Sequence, residues 1–208
     1  EPLAPYTHLK IGGPAQYLVQ PRDADELRAV LAACQNHGLP VRMLGGGHNL
    51  LVRDSPVAGA VVRLTSGAFG LIEWDGRRIT AGGGAPLFDL IAFAARQGLS
   101  GLETLVGLRG TVGGSVRCNV GDKAGEIGQA VREVKVLTDA GKVQTRGRDE
   151  LRFAEHQSDI DEPVILSVTF ELEKDDPAAI TKRMRKAWIL RKAAEPLSFQ
   201  AAVRLFRN

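Results

Sequence analysis

The sequence predicts an α+β fold in two lobes. Three observations carry that expectation: amphipathic helices alternate with short apolar strands, tight turns join several strands as hairpins, and 44% hydrophobic residues in 208 suffice for a sizeable core. The first lobe is expected over residues 1–57 and the second over 58–173. Residues 174–208 are expected to form a basic helix and a connection toward a further domain.

Taken in order, Tyr17 to Val19 reads as a short strand. Asp23 to His37 reads as a helix: Asp23 is an N-cap residue, Leu27, Val30, Leu31 and Cys34 recur at helical spacing, and Gly38 stands where a C-cap belongs. Val41 to Leu44 is a strand running into Gly45-Gly46-Gly47-His48-Asn49. Ala60-Val61-Val62 and Ile72-Glu73-Trp74 are expected in a second sheet, with Asp75-Gly76 turning the chain into Arg78 to Ala81. Leu87 to Gln97, apolar at 87, 90, 91 and 94, is a second helix closed by Gly98. After a glycine-rich stretch from Gly101 to Gly128, Val131 to Leu137 alternates as a strand, and Asp139 to Lys142 turns it into Val143 to Thr145. Pro163 to Leu172 is a strand with Val164, Leu166, Val168 and Phe170 on one face. Asp175-Asp176-Pro177 opens a helix carrying Lys182, Arg183, Arg185, Lys186, Arg191 and Lys192, which reads as a solvated face.

Charge narrows the classes of partner. With 27 Lys+Arg against 24 Asp+Glu the net charge is +3, too small an excess to favour nucleic acid. No apolar run approaches the roughly 18 residues of a membrane span, and no basic-then-apolar leader follows Glu1, so a cytoplasmic location is expected. Two cysteines, Cys34 and Cys118, are too few for a disulfide scaffold and lack metal-ligand spacing, so no metal site is expected. Oligomeric state is not legible in the sequence.

The count of 24 Gly beside 5% aromatics is the unusual feature. Much of it lies in three clusters: Gly45 to Gly47, Gly82 to Gly84, and Gly107-Leu108-Arg109-Gly110-Thr111-Val112-Gly113-Gly114-Ser115. Backbone without side chains can aim its N–H groups at phosphate oxygens, and Thr111 and Ser115 add hydroxyls. Each cluster can equally be a tight turn, which is the reading preferred for Gly82 to Gly84. No Gly-Lys-Ser/Thr closes any of them, and Gly45 to Asn49 lacks the spacing and the following helix of a Rossmann fingerprint.

In order and spacing, Leu9-Lys10-Ile11-Gly12-Gly13-Pro14-Ala15, Gly45 to Leu51, Gly101-Leu102-Glu103, Gly110 to Gly114, Asn119-x-Gly121 and Gly125-Glu126-Ile127 resemble UDP-N-acetylenolpyruvoylglucosamine reductases, from about residue 3 to the end. The resemblance implies the two-lobed FAD-binding fold of the vanillyl-alcohol-oxidase (PCMH) type, with a substrate domain following residue 208. It implies NADPH as hydride donor and a UDP-sugar substrate, reduced to UDP-N-acetylmuramate for peptidoglycan. By position, Gly45, Gly46, Gly47, His48 and Asn49 would wrap the FAD diphosphate. Gly110, Thr111, Val112, Gly113, Gly114 and Asn119 would form a second wall, with Ile127 near the flavin.

The departures fall on the catalytic positions. The family's Phe-x-Tyr-Arg-x-Ser corresponds to Phe153 to Ser158, so His156 stands for an arginine, Glu155 for a tyrosine, and Ser158 is kept. Histidine lacks the permanent charge and bidentate fork of a guanidinium. Arg204 occupies the place of the proton-donating serine, and arginine does not act as an acid near neutrality. Arg109 replaces a proline, and Asp122-Lys123-Ala124 replaces Ala-Tyr-Gly. His48 replaces a serine, with phosphate hydrogen bonding, loop packing and a covalent flavin link all open to it. Cys118 reads as a small buried hydrophobe, and Trp188 and Phe199 as packing residues. Three functions remain: an FAD-dependent reductase with His156 and Ser158 as candidate catalytic residues, a degenerate homologue that keeps the fold, with or without FAD, as a binding or regulatory protein, or an oxidase acting on another substrate, which rests on His48.

Overall fold

The computed structural model describes residues 1–65 and 67–194. In chain order the elements are β1 (Ala15–Val19), α1 (Ala24–Asn36), β2 (Val41–Met43), β3 (Val57–Val62), β4 (Ile72–Trp74), β5 (Arg78–Gly82), α2 (Leu87–Arg96), β6 (Leu99–Ser100) and α3 (Val112–Arg117). They continue with β7 (Gly121–Asp122), β8 (Gly125–Glu126), β9 (Val131–Leu137), β10 (Val143–Gly147), β11 (Phe153–Ala154), β12 (Gln157–Ser158), β13 (Val164–Glu171), β14 (Glu173–Lys174) and α4 (Pro177–Ala194).

Local chemistry accounts for the main boundaries. The Asp23 carboxylate accepts from the N–H groups of Asp25 and Glu26, and Gly38 leaves α1 at φ +63°. Asp176 accepts from the N–H groups of Ala178 and Ala179 while Pro177 opens α4, where a missing N–H costs nothing. At the β4–β5 hairpin, Asp75 accepts from the N–H groups of Arg77 and Arg78.

Two principal sheets result. The first is parallel, in the order β1-β3-β2; the second is antiparallel, in the order β10-β9-β13-β5-β4. The strand at Ala60 to Val62 is therefore the centre of the first sheet, not a member of the second as expected. Its near-continuous apolar run suits a parallel strand covered on both faces, and so gave no alternation to read.

Three apolar clusters hold these layers. The largest packs α2 and α3 on the second sheet, through Leu90 and Ile91 with Val134, Val168 and Phe170. Another joins the sheets, bringing Leu27 and Val62 against Leu137, Val164 and Leu166. The third seats Leu3 of the N-terminal segment on Val61 and Leu44.

β13 serves two of these clusters because it carries a bulge. Its pairing with β9 slips between Ile165 and Ser167, so Val164 and Leu166 face the first sheet while Val168 and Phe170 face the second core. The single face expected for these four residues is thus split by one extra residue.

The charged face of α4 also departs from expectation. Arg183 binds Glu103 at 2.8 Å and Asp175 at 2.6 Å, and Arg191 binds Asp122 at 2.7 Å. Trp188, 48% exposed, is not a core residue. Phe199 and Arg204 lie outside the described residues. Among the described residues no helix is long and apolar enough to cross a membrane. None of their His, Cys, Asp and Glu side chains gather in threes that could hold a metal ion.

Candidate functional site

A cleft of about 290 Å³ opens between the lobes. Gly45 to Leu50 line one wall, and Arg109, Gly110, Thr111, Gly113, Gly114 and Ser115 the other. Leu64, Val120, Val164 and Ile165 give it an apolar floor. Gly83 and Gly84 line it as well, so the middle glycine cluster is part of the site in addition to being a turn.

The first loop has the makings of an anion nest. It leaves β2 as a run of bends with Gly47 at φ +66°, and within the described residues its N–H groups from Gly45 to Asn49 donate to no partner. The second wall is used differently. Val112 N–H donates to Ala85 at 2.8 Å, Gly113 N–H to Gly83 at 2.8 Å, and Gly114 N–H to the Thr111 hydroxyl at 3.4 Å. The first two bonds dock α3, a helix that two glycines would otherwise disfavour, against the segment that follows β5, and the third caps the helix. A Cβ on Gly113 would stand 2.9 Å from the Gly83 carbonyl oxygen, which explains a glycine inside the helix.

Glycine also lets the two walls touch. A Cβ on Gly46 would sit 2.9 Å from the Gly110 Cα, and one on Gly45 would sit 2.7 Å from Thr111 Oγ1. The Asn49 amide reaches across to the Cys118 sulfur at 3.3 Å. Cys118 is half-buried in the cleft wall, where the sequence suggested a buried hydrophobe.

Basic groups gather at the nest. The rings of His8 and His48 stack with centroids 5.3 Å apart, and the backbone N–H of His8 donates to the Gly47 carbonyl at 2.9 Å. Partial loss of water around the His48 ring, followed by the charges of His8, Arg109 and Lys10, holds its pKa below the ordinary 6.5. This is the electrostatic setting of an anion site. His8 and Lys10 belong to the N-terminal segment, which sequence reasoning left out of the site; their basic character close to the Gly12-Gly13 motif was the available signal.

The remaining candidates lie behind or beside the cleft. Val112 and Ile127 are fully buried in the core of the second lobe. Asn119, fully buried at φ +41°, donates to Glu126 at 2.7 Å and to the Ala154 carbonyl at 2.8 Å, and accepts from Gly128 N–H at 3.0 Å. Its amide ties β8, β11 and the following turn together. Ser158 donates to the Arg117 carbonyl at 2.8 Å. His156, exposed at φ +55°, forms the β11–β12 hairpin tip with Glu155, and neither lines the cleft.

Comparison with known proteins agrees with this architecture. Residues 15–147 match the family model described as an FAD binding domain. The chain is 39% identical over 196 residues to the UDP-N-acetylenolpyruvoylglucosamine reductase of Rhodopirellula baltica, covering 94% of this chain and 64% of that protein. It is 36% identical over 209 residues to the reductase of Lactobacillus johnsonii, covering 100% of this chain and 69% of the relative. The crystal structure of UDP-N-acetylenolpyruvylglucosamine reductase from Thermus caldophilus superposes with a TM-score of 0.83 at 35% identity, covering 94% of this chain and 69% of that one. 6-Hydroxy-D-nicotine oxidase from Arthrobacter nicotinovorans shares the fold, with a TM-score of 0.63 at 23% identity over 78% of this chain and 37% of that one. The chain thus spans about two thirds of the length of the reductases it matches. Two lobes of vanillyl-alcohol-oxidase type, motifs in register and these identities together place the chain in the UDP-N-acetylenolpyruvoylglucosamine reductase family of FAD-binding proteins.

Proposed function

We propose that this chain holds FAD in the cleft between its lobes, as the cofactor-binding part of a reductase that takes hydride from NADPH and delivers it to UDP-N-acetylenolpyruvoylglucosamine, a UDP-sugar of peptidoglycan synthesis. The observation that carries this reading is the run of unspent N–H groups from Gly45 to Asn49, facing Arg109 and Gly110 across a cleft with basic side chains at its mouth. Free N–H donors, cations and no competing carboxylate among the charges acting on His48 fit a diphosphate.

When bound, FAD supplies the hydride-transfer chemistry. The chain's own residues bind and orient it. The N–H groups from Gly45 to Asn49 grip the diphosphate, and Arg109 adds charge where the family has proline. Gly110, Thr111, Gly113 and Gly114 close the opposite wall, while Val112, Asn119 and Ile127 hold that wall from behind. Leu64, Val120, Val164 and Ile165 offer a flat apolar floor to a ring and exclude water from it. Of the two candidate catalytic residues, Ser158 spends its hydroxyl proton on the Arg117 carbonyl, which leaves His156 as the one to test against an anionic substrate.

Protein incubated with FAD and then desalted is expected to keep the visible flavin absorption and to oxidise NADPH faster when the enolpyruvyl substrate is present. Uptake of FAD without NADPH oxidation would overturn the reductase part alone. Protein that takes up no FAD would overturn both parts.

A further inference from the structure

We propose that His8 and His48 are side-chain ligands of the diphosphate, and that His48 takes up a proton as the diphosphate binds, so that cofactor affinity falls as pH rises through neutrality. This rests on the FAD reading above and extends it to residues outside the glycine motifs.

Geometry brings these groups to one place. The N-terminal segment is pinned to the nest by the His8 N–H bond to Gly47. Thr7 is buried and bonds the Ala4 and Ile11 carbonyls with its hydroxyl, so the segment between them is held in one shape. Lys10 sits at φ +58° with its ammonium 3.0 Å from the Pro5 carbonyl, which leaves further N–H donors on that ammonium. From the opposite wall comes Arg109, and Arg117 and Cys118 line the cleft as well. Arg117 is turned away, donating to the carbonyls of Ile160, at 2.7 Å, and Glu162.

The charges that act on His48 are therefore cations: His8, Arg109 and Lys10. Stacked on His8 with centroids 5.3 Å apart and facing these cations, the His48 ring does not hold a proton readily in the free protein. A diphosphate diester stays doubly ionised throughout the neutral range, and placed on the nest it reverses the sign of the local field. The affinity of His48 for a proton rises, and its protonated ring gains a charge-assisted hydrogen bond. By linkage, a group whose pKa is higher in the complex favours binding below that pKa and loses the advantage as pH rises through it. His48 is a departure from the family's serine, so the effect belongs to this chain.

The test is titration of the 208-residue protein with FAD between about pH 5.5 and about pH 8.5 by tryptophan fluorescence, with calorimetry in two buffers of different ionisation enthalpy to count protons. The dissociation constant is expected to rise about tenfold across the range, with uptake of up to about one proton on binding. His48→Ser, which restores the family residue, is expected to flatten the rise to under about twofold and to abolish most of the uptake, and His8→Gln, which takes away one of the charges acting on His48, to reduce both. ADP-ribose, a diphosphate diester that lacks the flavin ring, is expected as a competitor to show the wild-type pH dependence, placing the proton at the diphosphate. FAD binding with no proton uptake, or variants that keep the wild-type slope, would overturn this proposal and leave the FAD reading standing. Failure to bind FAD at any pH would overturn both. Thermal melts of the variants without FAD separate a folding defect from a lost ligand.

Discussion

At the scale of single residues, the glycines of the cleft have two duties that composition alone could not separate. The run from Gly45 to Asn49 leaves its donors free, and within it Gly46 also lets two walls touch. Gly46→Ala would push its Cβ into the Gly110 backbone and the His48 ring, and backbone there has little room to give. A loss of about 1–3 kcal/mol in unfolding free energy is expected, with weaker FAD uptake, measurable by denaturant melts and flavin titration. Asn119 is a second test. Asn119→Ala would orphan Gly128 N–H and the Ala154 carbonyl and leave alanine at a positive φ, for an expected cost of about 2–4 kcal/mol in the same melts. The glycine loops were legible in the sequence because glycine clusters are rare enough to notice. The inward role of Asn119 was not, since its three partners come from residues up to 35 positions away. For the same reason Ser158 read as a candidate for chemistry, although its hydroxyl holds a carbonyl 41 residues earlier.

Among elements, α4 shows how a basic helix can be anchored through a few of its charges. Its dock is Glu103, 7% exposed, whose carboxylate accepts from Gly101 N–H at 2.6 Å, Ser100 at 2.9 Å and Arg183 at 2.8 Å. Burial acts to raise the Glu103 pKa, but these donors together outweigh it and hold the group below the ordinary 4.5. A carboxyl depressed in the folded state stabilises fully above its unfolded pKa and loses that contribution as pH falls through the folded value. Acid titration followed by α4 helicity is therefore expected to show loosening below about pH 4.5, and Glu103→Gln to be less stable at neutral pH with a flatter acid limb. Helices with an Asp at the N-cap and a Gly or Pro at a boundary were legible from those residues, as were the β4–β5 and β9–β10 hairpins from their turns. α3 was hidden because its glycines point away from a helix and only its docking on Gly83 makes one. The β13 bulge was hidden because alternation continues through it unchanged in the sequence.

For the whole molecule, the lobes share a core, and β3 completes the first sheet. Leu27 and Val62 on one side, with Leu137, Val164 and Leu166 on the other, make the lobes one packed body beneath the cleft. A ligand that bridges both walls should stabilise that body as a unit. FAD at about 100 times its dissociation constant is expected to add about 2.7 kcal/mol, raising the midpoint of a single melting transition by roughly 5–10 °C; two separate transitions, or no shift, would contradict a bridged site. The central position of β13 has a consequence for synthesis of the chain. The hairpins β4–β5 and β9–β10 can each form early, but β13 is the strand that pairs with both. Until residues 164–171 leave the ribosome, each hairpin presents an unpaired edge to solvent, and a nascent chain stalled before Val164 would hold two templates for intermolecular strand addition.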